Sequence, residues 1–230
     1  MPAGPVIQRM FAEVADGYDR ANRVLSLGID VLWRRRAIAA AGLRAGERVL
    51  DVCAGTGDLA IAMARRGARV VGADFCAPML VHAHRKGGAA AGRPAFLCGD
   101  AMRLPFADGG FDLATVAFGI RNVEDPVAAM AEMARVVRPG GRVVVLEFCR
   151  PRVPVLGRAY LFYFRRVLPR LGRWISGADN GAYQYLPDSV MAFPERAEFL
   201  ELMQRAGLRA PSTTLLSGGI AAIYRGEVAR

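Results

Sequence analysis

The stretch LDVCAGTGDLA, residues 50–60, decides the fold. It begins as an apolar run that holds one acid, Asp51, and it passes through Gly55 and Gly57 into a segment with helical spacing. Glycine allows a tight turn and a close approach by a ligand, and the first N–H groups of the next helix have no partners within that helix. The pattern therefore predicts a strand, a ligand-binding glycine loop and a helix.

Strand-like and helix-like segments alternate from about residue 45 to residue 148. The apolar runs carry no polar alternation, which indicates strands buried on both faces of a parallel sheet. Residues 193–208 are then predicted as a helix with Pro194 in its first turn, and two further runs flank Ser217–Gly219, as in an antiparallel hairpin. We expect one α/β domain over residues 1–230, with a parallel sheet, a terminal antiparallel hairpin and helices on both faces.

The charge and the composition limit the class of protein. Arginine supplies most of a formal net charge of +10, which favours an anionic partner such as nucleic acid, phosphate or acidic lipid. A coding bias toward Arg and Ala would give the same composition.

The start lacks a signal-peptide layout and no window of 18 uncharged apolar residues occurs, so a cytoplasmic location is expected. The four cysteines form no CxxC pair, and His82 and His84 lie on different helix faces, so no metal site is expected.

An adenosine-type ligand is expected beside the glycine loop. Asp74 ends the second strand, where a carboxylate accepts both hydroxyls of a ribose. GTGDLA also fits a dinucleotide fingerprint, so a nicotinamide-dependent oxidoreductase stays open on this evidence. Three features favour S-adenosylmethionine: Asp51 in the first strand, Asp100 just past the third, and RVVRPGGRVVVLEF, a helix stopped by Pro139–Gly141 before the fifth strand. With the hairpin, the layout resembles the Rossmann-like sheet of class I methyltransferases.

Sequence blocks along most of the chain resemble the ubiquinone/menaquinone-biosynthesis C-methyltransferases. The blocks are MFAEVADGYDRANRVLSLGIDVLWRR, LDVCAGTGDLA, AFGIRNV, RVVRPGGRVVVLEF, AYQYLPDSV and GGIAAIYRG. The resemblance implies S-adenosylmethionine as cofactor and C-methylation of a polyprenyl quinol, with demethylmenaquinol to menaquinol expected first. The benzoquinol step of ubiquinone synthesis, or another small aromatic, stays open. Asp30 stands where the family usually has His or Arg, and Ala117 where it often has Ser.

The resemblance also implies roles for individual residues. The cofactor contacts expected from the family and from the loop are Thr56, Asp74, Asp100, Ala101, Asp51, Gly55, Gly57 and Ala117. Arg121 and Asn122 are expected to be catalytic. The residues expected to line the substrate site or its lid are Tyr18, Tyr183 and Tyr185.

The chemistry fits Arg121 only in an indirect role. A ring carbon becomes nucleophilic when a neighbouring hydroxyl loses its proton. Arginine stays charged and is a poor base, so we expect Arg121 to stabilise the quinolate or to hold the water that takes the proton. The alternative is a structural ion pair between Arg121 and Glu124 or Asp125.

Two segments flank this core in the sequence. Residues 1–44 are predicted to form a helical lid over the cofactor. Residues 150–193 form a basic-aromatic arm, predicted either to dock on an anionic membrane surface and take up a prenyl tail or to cover the active site. Docking would make the protein peripheral at the inner face of the membrane, and a homo-oligomer is compatible with the sequence.

Two further classes of protein are compatible with the basic charge. Base methyltransferases acting on RNA often carry paired prolines after the fourth strand, where this chain has AFGIRN, so no nucleic-acid partner is expected. A non-enzymatic, basic membrane-binding module would not need Asp74 together with the glycine loop.

Overall fold

A computed structural model of the chain describes residues 4–88, 92–151, 153, 157, 160–167, 170 and 182–229, without the side chains of residues 165 and 182–184. The strands are β1 Arg48–Val52, β2 Arg69–Asp74, β3 Ala95–Cys98, β4 Phe111–Ala117, β5 Val137–Phe148, β6 Leu208–Leu216 and β7 Ala221–Val228. The α-helices are α1 Gly4–Val14, α2 Tyr18–Leu25, α3 Ile29–Ala40, α4 Asp58–Ala64, α5 Ala77–Gly87, α6 Pro126–Val136, α7 Ala182–Ala192 and α8 Ala197–Arg205. Short 3₁₀ turns lie at Ile120–Asn122 and Ser217–Gly219, and a π-helical turn lies at Tyr163–Val167.

The seven strands form one mixed sheet in the order β3-β2-β1-β4-β5-β7-β6. Strands β1 to β5 pair in parallel, and β7 pairs antiparallel with both β5 and β6. The predicted parallel sheet with a terminal antiparallel hairpin is therefore confirmed. Because parallel strands end at the same edge of a sheet, the residues that follow β1, β2, β4 and β5 meet there.

Helices cover both faces of the sheet, as predicted. On one face, Met130 of α6 and Phe199 of α8 pack against alternate strand residues such as Leu50. On the other face, Trp33 of α3 and Met63 of α4 join a second cluster of strand residues. Successive residues of one strand thus bury apolar side chains on opposite faces, which explains strands without polar alternation.

Two predicted boundaries are wrong. Helix α6 ends at Val136, and β5 already begins at Val137, so Pro139–Gly141 lies inside the strand. The register of β5 against β4 shifts in this region, where a Cβ at Gly141 would lie 2.8 Å from a backbone carbonyl oxygen. A glycine is thus needed for close strand packing rather than for a helix stop.

The last helix also starts later than predicted. Helix α8 begins at Ala197, three residues after Pro194, because Arg196 has a left-handed backbone with φ of 56°. The amide N of Arg196 donates a hydrogen bond to the Tyr224 hydroxyl at 2.8 Å. Its guanidinium Nη2 donates to the Arg150 carbonyl oxygen at 2.9 Å. Distant contacts fix this backbone, and local sequence does not reveal them.

The N-terminal helices lie close to the carboxyl edge of the sheet. Gln8 of α1 donates a hydrogen bond from Nε2 to the carbonyl oxygen of Phe75, just past β2, at 2.6 Å. None of the described helices is both long and apolar enough to cross a membrane. The residues with described side chains hold no cluster of three or more His, Cys, Asp or Glu placed to bind a metal ion.

Candidate active site

A cavity of about 370 Å³, here called the glycine-loop cavity, lies at the carboxyl edge of the sheet. The loop after β1, the ends of β2 and β4, and α1 form its walls. Of the predicted cofactor residues, those that line it are Asp51, Gly55, Thr56, Asp74, Asp100, Ala101 and Ala117. The structure therefore brings seven of the eight together around one space.

Gly57 is the exception. It has a left-handed backbone with φ of 80° and precedes α4, but it does not line the glycine-loop cavity. A Cβ at Gly57 would lie 2.8 Å from the ring of Phe96 and 3.1 Å from Ala83. Gly57 is thus needed for the turn and for packing behind the loop, whereas Gly55 faces the cavity.

Asp51 and Asp74 place two buried carboxylates in this cavity. Asp51 is 1% exposed, and Oδ1 accepts a hydrogen bond from the Thr115 hydroxyl at 2.8 Å. Burial raises the pKa of Asp51 to about 7. Asp74 accepts backbone N–H groups of Gly55 and Cys76 on its two oxygens, both at 2.8 Å. Burial raises the pKa of Asp74, and these N–H groups oppose the rise.

Thr56 belongs to a polar cluster that ties α2 to the glycine loop. Its hydroxyl donates to Asp19 Oδ1 at 2.5 Å. Lys86 Nζ of α5 lies 3.0 Å from the Thr56 hydroxyl, 2.6 Å from Asp19 Oδ2 and 2.7 Å from Asp58 Oδ1. Lys86 and Asp58 were not predicted, because nothing in the local sequence joins residues this far apart.

A second cavity of about 350 Å³, here called the aromatic cavity, adjoins the first. Most of its lining is apolar and includes Phe11, Leu25, Trp33, Phe118, Phe148, Tyr160, Tyr163, Phe164, Tyr185, Leu186 and Ile220. Phe11, Tyr18, Arg34 and Phe118 line both cavities. A flat apolar molecule in the aromatic cavity would therefore face a ligand in the glycine-loop cavity.

Arg121 is buried in the wall of the aromatic cavity, only 4% exposed. Its Nη1 donates to the Phe118 carbonyl oxygen at 2.5 Å and to Glu147 Oε1 at 2.9 Å. Its Nε donates to the Ser189 hydroxyl at 3.3 Å. The alternative ion pair with Glu124 or Asp125 is wrong, because the carboxylate partner is Glu147. An acid inside the apolar run RVVVLEF was the signal for a buried charge.

Three buried polar atoms near Arg121 have no hydrogen-bond partner among the described residues: Asn122 Oδ1, Glu147 Oε2 and the Tyr185 hydroxyl. Asn122 lines the glycine-loop cavity and Tyr185 the aromatic cavity. Buried polar groups are nearly always paired in folded proteins, so such a group marks a place that a ligand or water can fill. The side chain of Tyr183 lies outside the described residues.

The architecture is shared with known methyltransferases. A putative methyltransferase of Haloferax volcanii, solved with its Trm112 activator, matches with a TM-score of 0.72 over 96% of this chain and 98% of that one, at 18% identity. A Thermotoga maritima S-adenosylmethionine-dependent methyltransferase, described as a possible histamine N-methyltransferase, matches with a TM-score of 0.68 at 22% identity. The match covers 96% of this chain and 99% of that one. The chain thus has the fold of class I S-adenosylmethionine-dependent methyltransferases.

Within this class, the chain belongs to the ubiE/COQ5 methyltransferase family, whose model matches residues 4–227. The demethylmenaquinone methyltransferase of Thermus thermophilus is 50% identical over 95% of this chain and 99% of its own length. The ubiquinone/menaquinone biosynthesis C-methyltransferase UbiE of Bdellovibrio bacteriovorus is 46% identical over 99% of this chain and 97% of its own length.

The family implies S-adenosylmethionine as cofactor. The glycine-loop cavity fits it, because carboxylates suit its ammonium and its ribose hydroxyls.

Cofactor affinity is expected to fall as the pH drops below about 7. We expect the cofactor ammonium to bind beside Asp51, where it would favour the carboxylate form, and protonation of Asp51 at low pH would remove that partner. Below the pKa, the loss approaches about tenfold per pH unit, because one proton must leave on binding. Calorimetric titration at pH 6, 7 and 8 measures this dependence. Asp51→Asn should bind weakly with a flat profile, whereas a slope that persists in this variant would assign the proton to another group.

Proposed function

We propose that the protein transfers a methyl group from S-adenosylmethionine to a ring carbon of a polyprenyl quinol, converting demethylmenaquinol to menaquinol. The observation that supports this most is the aromatic cavity that adjoins the glycine-loop cavity and holds a buried arginine in its wall. A quinol ring would lie among aromatic side chains, with its oxygen close to a fixed cation.

The bound cofactor would supply a reactive methyl on a sulfonium and leave as S-adenosylhomocysteine, so the chain needs to orient the acceptor carbon and allow proton transfer. The quinol hydroxyl first loses its proton. After the ring carbon has taken the methyl, it releases its own hydrogen as a proton and the oxygen regains one, which restores the quinol. The Phe118 and Phe148 rings, 4.5 Å apart between centroids and tilted by 34° to each other, give the cavity an aromatic lining. The Arg121 guanidinium lies 5.5 Å from the Phe148 ring centre. From there it stabilises negative charge on the quinol oxygen after the hydroxyl proton leaves to water.

Glu147 positions this arginine. Its Oε1 accepts hydrogen bonds from Arg121 Nη1 and from the amide of Phe148, both at 2.9 Å. A buried ion pair with additional hydrogen bonds holds its geometry closely, at a desolvation cost. Arg121 therefore keeps its orientation before the substrate arrives, which is the condition for electrostatic stabilisation without reorganisation.

The naphthoquinol head group is favoured over the benzoquinol. Relatives in Thermus thermophilus and Deinococcus radiodurans, 50% and 47% identical, are named demethylmenaquinone methyltransferases. The Bdellovibrio relative carries a name that covers both quinones. The test offers purified protein equal amounts of a short-chain demethylmenaquinol and the corresponding benzoquinol precursor. We expect the naphthoquinol to react with the higher kcat/KM, and preferential turnover of the benzoquinol would reverse the assignment.

We also propose that the protein docks on an anionic membrane surface to take up the prenyl tail. Leu27, at the mouth of the aromatic cavity, is 92% exposed, and Phe162 beside the cavity-lining Tyr163 is 65% exposed. Arg23, Arg166 and Arg170 are exposed in the same two segments. Apolar side chains among arginines suit an interface with acidic headgroups. Of the other arginines in the basic-aromatic arm, Arg152, Arg158 and Arg173 lie outside the described residues, and the side chain of Arg165 is not described.

Replacing Arg166 and Arg170 by glutamine should weaken binding to vesicles that contain anionic lipid. Each arginine near such a surface contributes about 1 kcal/mol, so the pair should lower the partition coefficient about 30-fold at low salt. Vesicle co-sedimentation measures this partition coefficient. Arg65→Gln with Arg66→Gln, two exposed arginines after α4, is the matched control. If the wild type does not bind these vesicles at low salt, the arm does not dock on a membrane and instead covers the active site.

A further inference from the structure

The charges around the glycine-loop cavity are strongly unequal. Its acidic lining residues are Asp51, Asp58, Asp74, Asp100 and Glu124. Among the described residues, Arg34 is the single basic side chain in its lining. A cofactor with an ammonium, a sulfonium and a carboxylate can satisfy several acids, but its carboxylate needs a cation. In this lining, only Arg34 offers one.

Arg34 is held in place before any ligand binds. Its Nη1 lies 2.6 Å from Asp30 Oδ2, one helical turn earlier in α3. Asp30 is buried and also accepts a hydrogen bond from the Ser26 hydroxyl at 2.8 Å. The Arg34 guanidinium lies 5.4 Å from the centre of the Phe118 ring. The hydrogen bonds that Arg34 makes to described residues all use Nη1. Nη2 lies 4.0 Å from Asp58 Oδ2, an ion-pair distance too long for a hydrogen bond, so the N–H groups of Nε and Nη2 can still donate to a ligand.

The position of Arg34 relative to Asp51 fits one amino-acid group. Both line the same cavity, and the positive charge of Arg34 opposes the rise in the pKa of Asp51. The methionine end of the cofactor carries its ammonium and its carboxylate on the same carbon. A carboxylate at Asp51 and a guanidinium at Arg34 therefore match the two ends of that group.

We infer that Arg34, positioned by Asp30, binds the carboxylate of S-adenosylmethionine. Guanidinium and carboxylate groups pair through two parallel N–H···O bonds, which a lysine cannot reproduce. Asp30 stands where the resemblance predicts His or Arg, and in this chain it supplies the acid that orients Arg34. The inference rests on the cofactor of the proposed function and is independent of its quinol.

The test compares S-adenosylmethionine with decarboxylated S-adenosylmethionine, which keeps every group except the carboxylate. Calorimetric titration gives both dissociation constants for the wild type, Arg34→Gln and Arg34→Lys. Wild type should bind S-adenosylmethionine about 30-fold more tightly than the decarboxylated compound, as expected for hydrogen bonds between charged groups. Arg34→Gln should lose most of this preference, and it should do so by binding S-adenosylmethionine less tightly. Arg34→Lys should keep an intermediate preference.

Matched variants separate binding from folding. Arg36→Gln removes an exposed arginine from the same helix and should leave both constants unchanged. Asp30→Asn should reduce the preference to an intermediate value, because Arg34 remains but is less well oriented. If Arg34→Gln does not fold, the reduced preference of Arg34→Lys alone supports the inference, and a full preference contradicts it.

Other results would overturn the inference. Equal weakening of both ligands by Arg34→Gln would mean that Arg34 shapes the cavity without touching the carboxylate. An unchanged cofactor constant with a raised KM for the quinol would place Arg34 on the substrate in the aromatic cavity. If the wild type binds neither compound, both the role of Arg34 and the assignment of S-adenosylmethionine as cofactor are refuted. A protein that binds the cofactor as described but methylates no quinol would refute the proposed function alone.

Discussion

Arg121→Lys is expected to lower kcat for quinol methylation by about 100- to 1000-fold, the range found when one preorganised donor is removed from a charge-stabilising site. Lysine keeps the positive charge but loses the planar fork that joins Phe118, Glu147 and Ser189. The dissociation constant of S-adenosylmethionine should change little, because Arg121 lines the aromatic cavity and not the glycine-loop cavity. Steady-state kinetics measures the change in kcat, and calorimetric titration measures the dissociation constant of S-adenosylmethionine.

Lysine is preferred over a neutral replacement because it leaves the buried Glu147 with a cation. Removing one partner of a buried ion pair destabilises a protein by about 3 to 5 kcal/mol, which would mix folding with catalysis. Arg138→Lys is the matched control, since Arg138 forms an exposed ion pair with Asp112. Raising the pH should partly restore Arg121→Lys, because hydroxide can remove the quinol proton. Full activity of Arg121→Lys at neutral pH would contradict the assigned role.

Asp74→Ala is expected to weaken S-adenosylmethionine binding by about 100-fold or more. Two hydrogen bonds from ribose hydroxyls to a carboxylate contribute about 3 kcal/mol together. The carboxylate also holds the Gly55 and Cys76 amides, so its loss loosens the loop as well. Asp74→Asn keeps the side-chain shape and one oxygen acceptor, so its dissociation constant for S-adenosylmethionine should lie between those of the wild type and Asp74→Ala. Calorimetric titration gives the three constants.

Asp108→Ala is the control for this series, because Asp108 is an exposed acid that does not line the glycine-loop cavity. It should bind the cofactor like the wild type. Unchanged affinity in a folded Asp74→Ala variant would remove Asp74 from the cofactor site. Tighter binding of a nicotinamide dinucleotide than of S-adenosylmethionine by the wild type would replace the methyltransferase account with the oxidoreductase alternative.

The sequence predicted the features that depend on local pattern. Apolar runs located strands β1 to β5, and Ser217–Gly219 located the terminal hairpin, because strand burial and turn chemistry are local properties. The loop glycines and strand-end acids could be placed at one edge because parallel topology brings them there. Seven of the eight predicted cofactor positions line the glycine-loop cavity for this reason.

Features that depend on distant contacts could not be predicted. Glu147 lies 26 residues from Arg121, and only the pairing of β4 with β5 brings the two segments together. Lys86 reaches Asp19 and Thr56 from a different helix. Helix α7 lies within the arm of residues 150–193 and is not predicted as a separate element, and Pro187 inside it is locally unfavourable for a helix. Tertiary contacts outweigh propensity at such positions.

The central claim, methylation of a ring carbon on a reduced quinol, is tested most directly with methyl-labelled S-adenosylmethionine and a short-chain demethylmenaquinone. The reaction is run once with a reductant and once under strictly oxidising conditions, and the labelled product is located by NMR. The account predicts label on the ring carbon of the reduced quinol and almost no transfer to the oxidised quinone, which has no hydroxyl proton to lose. Equal turnover of the oxidised quinone, or label on an oxygen, would contradict it.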